Sequence, residues 1–359
     1  MIKRYQIYLL KLFYKKILLI GSIFFCLVLI LNILEEINFF KDLNVSFFFT
    51  IFISLLKSAS DLFEIFPFIV MISTQFLFLD LIENNELETF KTNGINNLKL
   101  IKVLFFSSFF LGLILTGIFY NIAAKMNFFY LEKKNSYSLD NDYLLVVNNN
   151  GLWIKDKIYN ETYIISANTL KKNYLNQVVI SKFDKNFDLE LIIKSPKVDI
   201  SSFEWEIYDA IISKNNITLN SKENIFLKTH FDEKKIYSLY ENLLSLTIFE
   251  LISLKKDYDM LGYSSNEIEN KIQRLISYPV YLTILVLLIS IIMFNIERNK
   301  SFIFHIALGV AISVIIYYFY DLFSLLGENN TIPILVSVWL PLLILTFVVI
   351  IGLITVNEK

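Results

Sequence analysis

The chain has 359 residues, of which 55% are hydrophobic and only 19% charged, with a formal net charge of −1. Mean hydropathy is +0.55. A soluble protein of this size could not bury that much apolar surface, so the composition excludes an ordinary water-soluble domain and points into a bilayer.

The opening MIKRYQIY carries positive charge but is no cleavable signal, because the apolar segment after it is long and no small-residue cleavage site follows. It reads as a signal anchor retained as the first span, about residues 17–37. The second span, about 60–82, contains Pro67 and follows Lys57, Asp61 and Glu64. A single helix from Asn44 to Leu81 would rise roughly 57 Å, well beyond a hydrocarbon core of about 30 Å. A long tilted helix with a projecting outer half, or a surface helix turning at Pro67, both satisfy the sequence. Lys57, Asp61 and Glu64 share one helical stripe, on which Lys57 and Asp61 can pair. The stripe faces a partner or a polar cavity if the helix is continuous, and water if it is not.

The loop after span two runs from Asp80 to Ile95. Leu87 and Phe90 fall on one side of a brief amphipathic helix, beside Glu86 and Glu88, and Gly94 terminates it. An acidic face of this kind suits a basic partner, and equally an ordinary interhelical hairpin. Span three follows at 103–124.

Residues 125–277 form a polar insert between the two apolar clusters. Short strands are expected at 143–147, 151–154, 162–166, 176–183, 187–193, 203–212 and 223–229. Period-two alternation places Phe203, Trp205 and Ile207 on one face, as in an antiparallel sheet with one face on a core. Strands of this number and length make a sandwich or jelly roll, with Trp153 and Trp205 expected in its core. The single Cys26 lies mid-span, so the insert holds together by packing and not by disulfides. Residues 243–261 read as a helix ended by Gly262. Ser264 and Glu267 read as a capping box that opens a second helix towards Pro279. Spans four to six fall at about 275–296, 301–322 and 333–355.

The fold class is thus a polytopic α-helical membrane protein with six spans and an inserted all-β domain. Its parts are an N-terminal transmembrane half (1–124), a β-jelly-roll domain (125–240), connecting helices (241–274) and a C-terminal transmembrane half (275–359). Short-loop Lys and Arg concentrate at the N-terminus (Lys3, Arg4, Lys11, Lys15, Lys16), after span two (Lys91, Lys99, Lys102) and after span four (Arg298, Lys300). The positive-inside rule then puts both termini in the cytoplasm and the insert outside.

Little here serves catalysis. The chain has two histidines, His230 near the end of the sheet and His305 in span five, where a neutral, hydrogen-bonded ring is expected. No H-E-x-x-H, G-x-S-x-G, phosphate-loop or Cys/His metal spacing occurs. Neither metal, cofactor nor nucleic acid is expected, and the chain reads as a non-enzyme.

With these motifs in view, the chain resembles the LptF/LptG family of lipopolysaccharide-export permeases. Glu86-Leu87 with Gly94-Ile95 is similar to the family's coupling segment after span two, and Phe66-Pro67 to the Leu-Pro of that span. Ser277-Tyr278-Pro279 resembles its entry to span four. Asn150 to Asp156 and Trp205 to Ala210 resemble segments that favour LptG over LptF.

The resemblance implies a bacterial inner-membrane ABC transporter with an LptF-like paralogue, an LptB-like ATPase dimer and an LptC-like bridge protein, moving lipopolysaccharide. Glu86, Leu87, Phe90 and Gly94 would then couple to the ATPase. Lys41, Phe39, Phe40, Lys57 and Tyr317 would belong to the lipid path or gate, against membrane lipid. Two departures stand out. Asn85 replaces the family's serine, and the end of span one is poor in basic residues apart from Lys41. A membrane-anchored scaffold, and the LptF role within the family, are the alternatives.

Overall fold

The computed structural model describes residues 3–41, 43, 45–135, 137, 152–158, 161–171, 173–185, 188–214, 217–220, 224–233, 236, 243–261, 264–294 and 302–357. The expected strand at 143–147, Gly151 and Gly262, and the side chains of Trp153 and His305, lie outside the described residues. The chain divides into two compact units. One comprises Met1–Tyr130, Leu244–Leu251 and Asn266–Lys359, and the other Leu131–Leu243 and Ile252–Ser265.

In the first unit, six helices are long and apolar enough to cross a membrane. The α-helices among the described residues are α1 (Arg4–Phe39), α2 (Phe47–Glu83), α3 (Glu86–Thr92), α4 (Asn97–Ile114), α5 (Tyr120–Asn135), α6 (Ile248–Leu261), α7 (Asn266–Phe294), α8 (Phe302–Glu328) and α9 (Ile334–Asn357). A π-helical turn, Leu115–Phe119, joins α4 to α5. Burial orders the spans: 83% of the apolar window of α7 is enclosed, against 22% for α1 and 28% for both α8 and α9. α7 is therefore the axis of the bundle, and α1, α8 and α9 turn broad apolar faces outward.

The second span settles one open question. α2 runs unbroken through Pro67, so the surface-helix alternative is excluded. A proline ring is tolerated there because neighbouring helices enclose it. Pro279 likewise sits inside continuous α7. There α4 comes close enough that only glycine fits. A Cβ on Gly112 would stand 2.5 Å from the Cα of Pro279. α7 opens at Asn266, so the residue flanking it is Ser265, whose hydroxyl donates to Asp259 at 2.6 Å. Among the described hydrogen bonds none joins Ser264 to Glu267; a capping box does form at α6, where Thr247 N donates to Glu250 at 2.7 Å and Glu250 N to Thr247 Oγ1 at 3.4 Å.

The second unit holds an antiparallel sheet: β1 (Leu152–Ile158), β2 (Glu161–Lys171), β3 (Tyr174–Phe183), β4 (Leu189–Asp199), β5 (Glu204–Tyr208), β6 (Ile211–Lys214), β7 (Ile217–Asn220) and β8 (Ile225–Lys228). The main path is β1-β2-β3-β4-β5-β8, with β6 between β4 and β7. Register aligns two buried rows across the strands: Ile154, Ile165, Ile180 and Ile193, and Leu170, Leu175, Val198 and Ile207. Such cross-strand apolar rows fix the pairing, since a one-residue slip would turn each of them to the opposite face.

Trp205 is fully buried, and its indole donates to the carbonyl of Phe231 at 2.7 Å. The single strand expected over 203–212 is divided. Asp209 adopts φ 47°, separating β5 from β6, which pair with different halves of β4. Phe203 lies before β5 and is 54% exposed, so the expected alternation holds only for Trp205 and Ile207.

Candidate functional site

The loop after α2 forms the expected short helix. Asn85 takes a left-handed conformation (φ 56°) to turn the chain from α2 into α3, a geometry asparagine tolerates better than serine. The helix ends in a Schellman closure: Ile95 N donates to Phe90 O at 2.9 Å and Gly94 N to Lys91 O at 3.0 Å. Gly94 sits at φ 76°, which is where a glycine belongs. Lys99 Nζ adds a bond to Gly94 O at 2.8 Å.

No residue of α3 is buried, and Leu87 and Phe90 are half-covered. The carboxylate of Glu86 is oriented by the hydroxyl of Tyr8, 2.8 and 2.9 Å from its two oxygens. One hydroxyl proton cannot saturate a carboxylate, so Glu86 keeps lone pairs for a cationic donor. Glu86, Thr89 and Phe90 line an open cleft of about 330 Å³ with Arg4, Tyr5 and Tyr8. Sequence spacing gave no sign of Tyr8, which reaches Glu86 from α1.

At the opposite end of the bundle the expected residues separate into distinct settings. Lys57 does not pair with Asp61. Its ammonium is 2.6 Å from Glu35 on α1 and 5.9 Å from the ring centroid of Tyr130. Asp61 accepts from Asn32 at 2.7 Å. Fully buried Glu36 accepts from Tyr130 at 2.7 Å, a pairing that the acidic end of span one gave no reason to expect. Phe40 is 5% exposed and packs edge-on against Phe39 and Phe49, in the core of the bundle. Phe39 is half-buried and Lys41 exposed.

Tyr317, on α8, lines a polar cavity of about 190 Å³ among α2, α7 and α8. Glu64, Lys271, Arg274 and Asp321 also face it, so the third member of the Lys57 stripe does open on a polar cavity. The walls are tied by a ladder of polar bonds between α7 and α8. Arg274 Nη1 reaches Asp321 at 3.3 Å and Ser324 at 3.2 Å. Asn270 donates to Ser324 at 2.6 Å and also to Glu328, while Ser277 meets Tyr320 at 3.2 Å. The Tyr281 and Tyr320 rings stack at 4.6 Å. Arg274 and Asp321 read in sequence only as charges closing two spans; in the fold they are partners.

Among the described residues no group of His, Cys, Asp and Glu could hold a metal ion. The family model for the lipopolysaccharide export system permease LptF/LptG matches residues 7–355. The chain belongs to the LptF/LptG family. No curated protein sequence matches it significantly. A family member of this kind is a lipopolysaccharide export permease, a transport subunit and not a catalyst, working with other Lpt components. The six apolar helices and separate antiparallel sheet fit a multi-pass inner-membrane protein with an inserted β domain.

Proposed function

We propose that this chain is the LptG-type permease subunit of an ABC transporter that extracts lipopolysaccharide from the inner membrane and drives it towards the outer membrane. Its partners are an LptF-like paralogue, an LptB-like ATPase dimer and an LptC-like bridge protein. Both termini lie in the cytoplasm, where the short-loop lysines concentrate. The domain of residues 125–240 lies in the periplasm as a jelly roll, followed by connecting helices over 241–274. The Asn150 to Asp156 segment favours LptG; the LptF role is the alternative.

The observation that carries the reading is α3: an uncovered amphipathic helix closed by hydrogen bonds at its C-terminal end, with an oriented carboxylate in its first turn. ATP-driven closure of the ATPase pushes on such a helix. Glu86 meets a basic residue there, Leu87 and Phe90 fill an apolar groove, and Gly94 sets the turn.

The stroke is delivered through α1 and α8, whose outward faces carry apolar stripes at helical spacing. These are Ile23, Leu27, Ile30 and Leu34 on α1, and Ile315, Tyr318, Leu322 and Leu325 on α8, all at least half exposed. Those stripes meet the paralogue and the lipid. Phe39, Lys41, Lys57 and Tyr317 lie along the lipid path or its gate, with Phe40 supporting Phe39 from the core.

The test is copurification from detergent. The wild-type chain should bring down an ATPase with its paralogue, and Glu86→Arg should lose the ATPase while keeping the paralogue. Recovery of a folded chain with no ATPase, under conditions that preserve related complexes, would return the protein to a scaffold.

A further inference from the structure

A second feature of the helical unit has no part in that mechanism. Between α1 and α4 runs an open groove of about 600 Å³. Three lysines, Lys3, Lys99 and Lys102, stand at one end of it, and among the described residues no carboxylate lines it. Its walls are mostly apolar, from Leu10 on α1 and Val103, Phe106 and Phe110 on α4, with Tyr14 and Ser107 beside them, the Tyr14 hydroxyl donating to the Ser107 carbonyl at 3.4 Å.

The residues recur at helical spacing along both helices, so the groove is graded. Cations sit at the first turns, Tyr5 and Gln6 come next, and Phe106 and Phe110 lie deeper, beside Tyr14. From Lys99 to Phe110 the helix rises about 16 Å, close to half of a hydrocarbon core of about 30 Å. Phe106 and Phe110 are 49% and 59% exposed, so the deep end is open to an acyl chain. Lys3 and Lys102 are exposed and have no ion-pair partner among the described residues.

We propose that this groove holds one anionic phospholipid, its phosphate between Lys3, Lys99 and Lys102 and an acyl chain along Leu10, Phe106 and Phe110. The leaflet is the cytoplasmic one, which rests on the orientation proposed above. Charge decides between occupants. The cytoplasmic flank of a transmembrane helix is usually basic, and three lysines repel it. A zwitterionic lipid brings its own ammonium to the same mouth. An anionic headgroup meets only complementary charge, as basic pockets between helices do on the cytoplasmic side of membranes. Free phosphate would leave the apolar depth unfilled.

The experiment is native mass spectrometry of the full chain with its copurifying subunits, loaded with phosphatidylglycerol or phosphatidylethanolamine. One phosphatidylglycerol per chain should persist at activation energies that strip phosphatidylethanolamine. The double variant K3Q/K102Q should lower its retention about 30-fold, near what two phosphate-facing lysines contribute. Leu10→Trp (L10W), which fills the groove, should lower retention while leaving the lysines in place. Equal retention of the two lipids, or retention unchanged in both variants, overturns the proposal. So does a photo-crosslinker at Phe106 that captures polypeptide in place of lipid. Maleimide labelling of Lys91→Cys, outside the groove and in a Cys26→Ser background, reads the leaflet separately in intact cells: labelling from outside with lipid selectivity intact would refute the orientation and leave the site standing.

Discussion

Gly112 and Gly117 lie on the same membrane-crossing segment, and the structure assigns them opposite responses to one added methyl. At Gly112 an alanine Cβ would stand 2.5 Å from Pro279 Cα and 3.0 Å from its Cβ. Carbon atoms rest at about 3.5–4.0 Å, so α4 and α7 must separate by about 1 Å at their crossing. The obstructing atoms are helix backbone and a proline ring, which cannot rotate aside. Overpacking of this kind costs about 1–3 kcal/mol, partly offset by the better helix propensity of alanine, up to about 1 kcal/mol. The net for Gly112→Ala is about 1–2 kcal/mol of destabilisation.

At Gly117 no atom of the described residues lies within 4 Å of where a Cβ would stand. Gly117→Ala should therefore stabilise by about 0.5–1 kcal/mol through backbone entropy alone. SDS-induced unfolding of the detergent-solubilised chain, followed through helical circular dichroism, gives both values. A gap of about 2 kcal/mol between the two variants is expected. Equal effects, or a Gly112→Ala protein as stable as wild type, would refute the close crossing of α4 and α7.

Other substitutions test other parts of the account. Gly94→Ala forces a side chain into a left-handed position and should cost about 1 kcal/mol, read as faster amide exchange at Ile95 and Gly94's flanking turn without change elsewhere in the bundle. Tyr8→Phe removes the hydroxyl that orients Glu86 and should weaken ATPase copurification less than Glu86→Arg does; an equal loss would mean that Tyr8 acts by itself. Arg274→Met leaves Asp321 facing the polar cavity without its guanidinium partner. It should destabilise more than R274M/D321L together, as uncompensated charge costs more than a removed pair.

In the β unit, Lys182 lies 3.0 Å from Glu161 and 2.9 Å from Glu190. The bond from Lys182 holds the Glu190 carboxyl below its usual 4.5. A depressed folded value means stability present above pH 4.5 and lost as pH falls through the folded value. Bonds to Glu190 and then Glu161 raise Lys182, so its contribution is full below 10.5 and fades only at higher pH. Amide protection across β2–β4 should thus hold from neutrality down to mildly acid pH and weaken below it. Lys182→Met should flatten that profile, and an unchanged profile would show that the pair contributes nothing.

Much of this fold was legible because bilayers impose long, unmistakable patterns. Span length and loop charge locate the six helices, and Leu87, Phe90 and Gly94 mark α3 and its stop. Period-two alternation finds most strands, yet it ran β5 and β6 together, because nothing in the letters marks Asp209 as left-handed. The continuous α2 was one of two readings, since proline breaks helices in water but is enclosed here by packed neighbours.

What the sequence hid were contacts between distant residues. Tyr8 with Glu86, Tyr130 with Glu36 and Arg274 with Asp321 each join separate helices, and helical stripes show which face a residue takes but not what it meets. Lys57 shows the cost of local reasoning: spacing offered Asp61, while a carboxylate on α1 lay nearer. Phe40 shows it again, as an aromatic at a span end turned inward to Phe49.

The most direct test of the permease account is ATP-dependent release of lipopolysaccharide from proteoliposomes to a soluble acceptor, with and without this chain among the reconstituted subunits. Release that requires both ATP and this chain, and that falls to background with Glu86→Arg, is the predicted result. Release that proceeds without the chain, or none at all while a bound ATPase hydrolyses ATP, would contradict it.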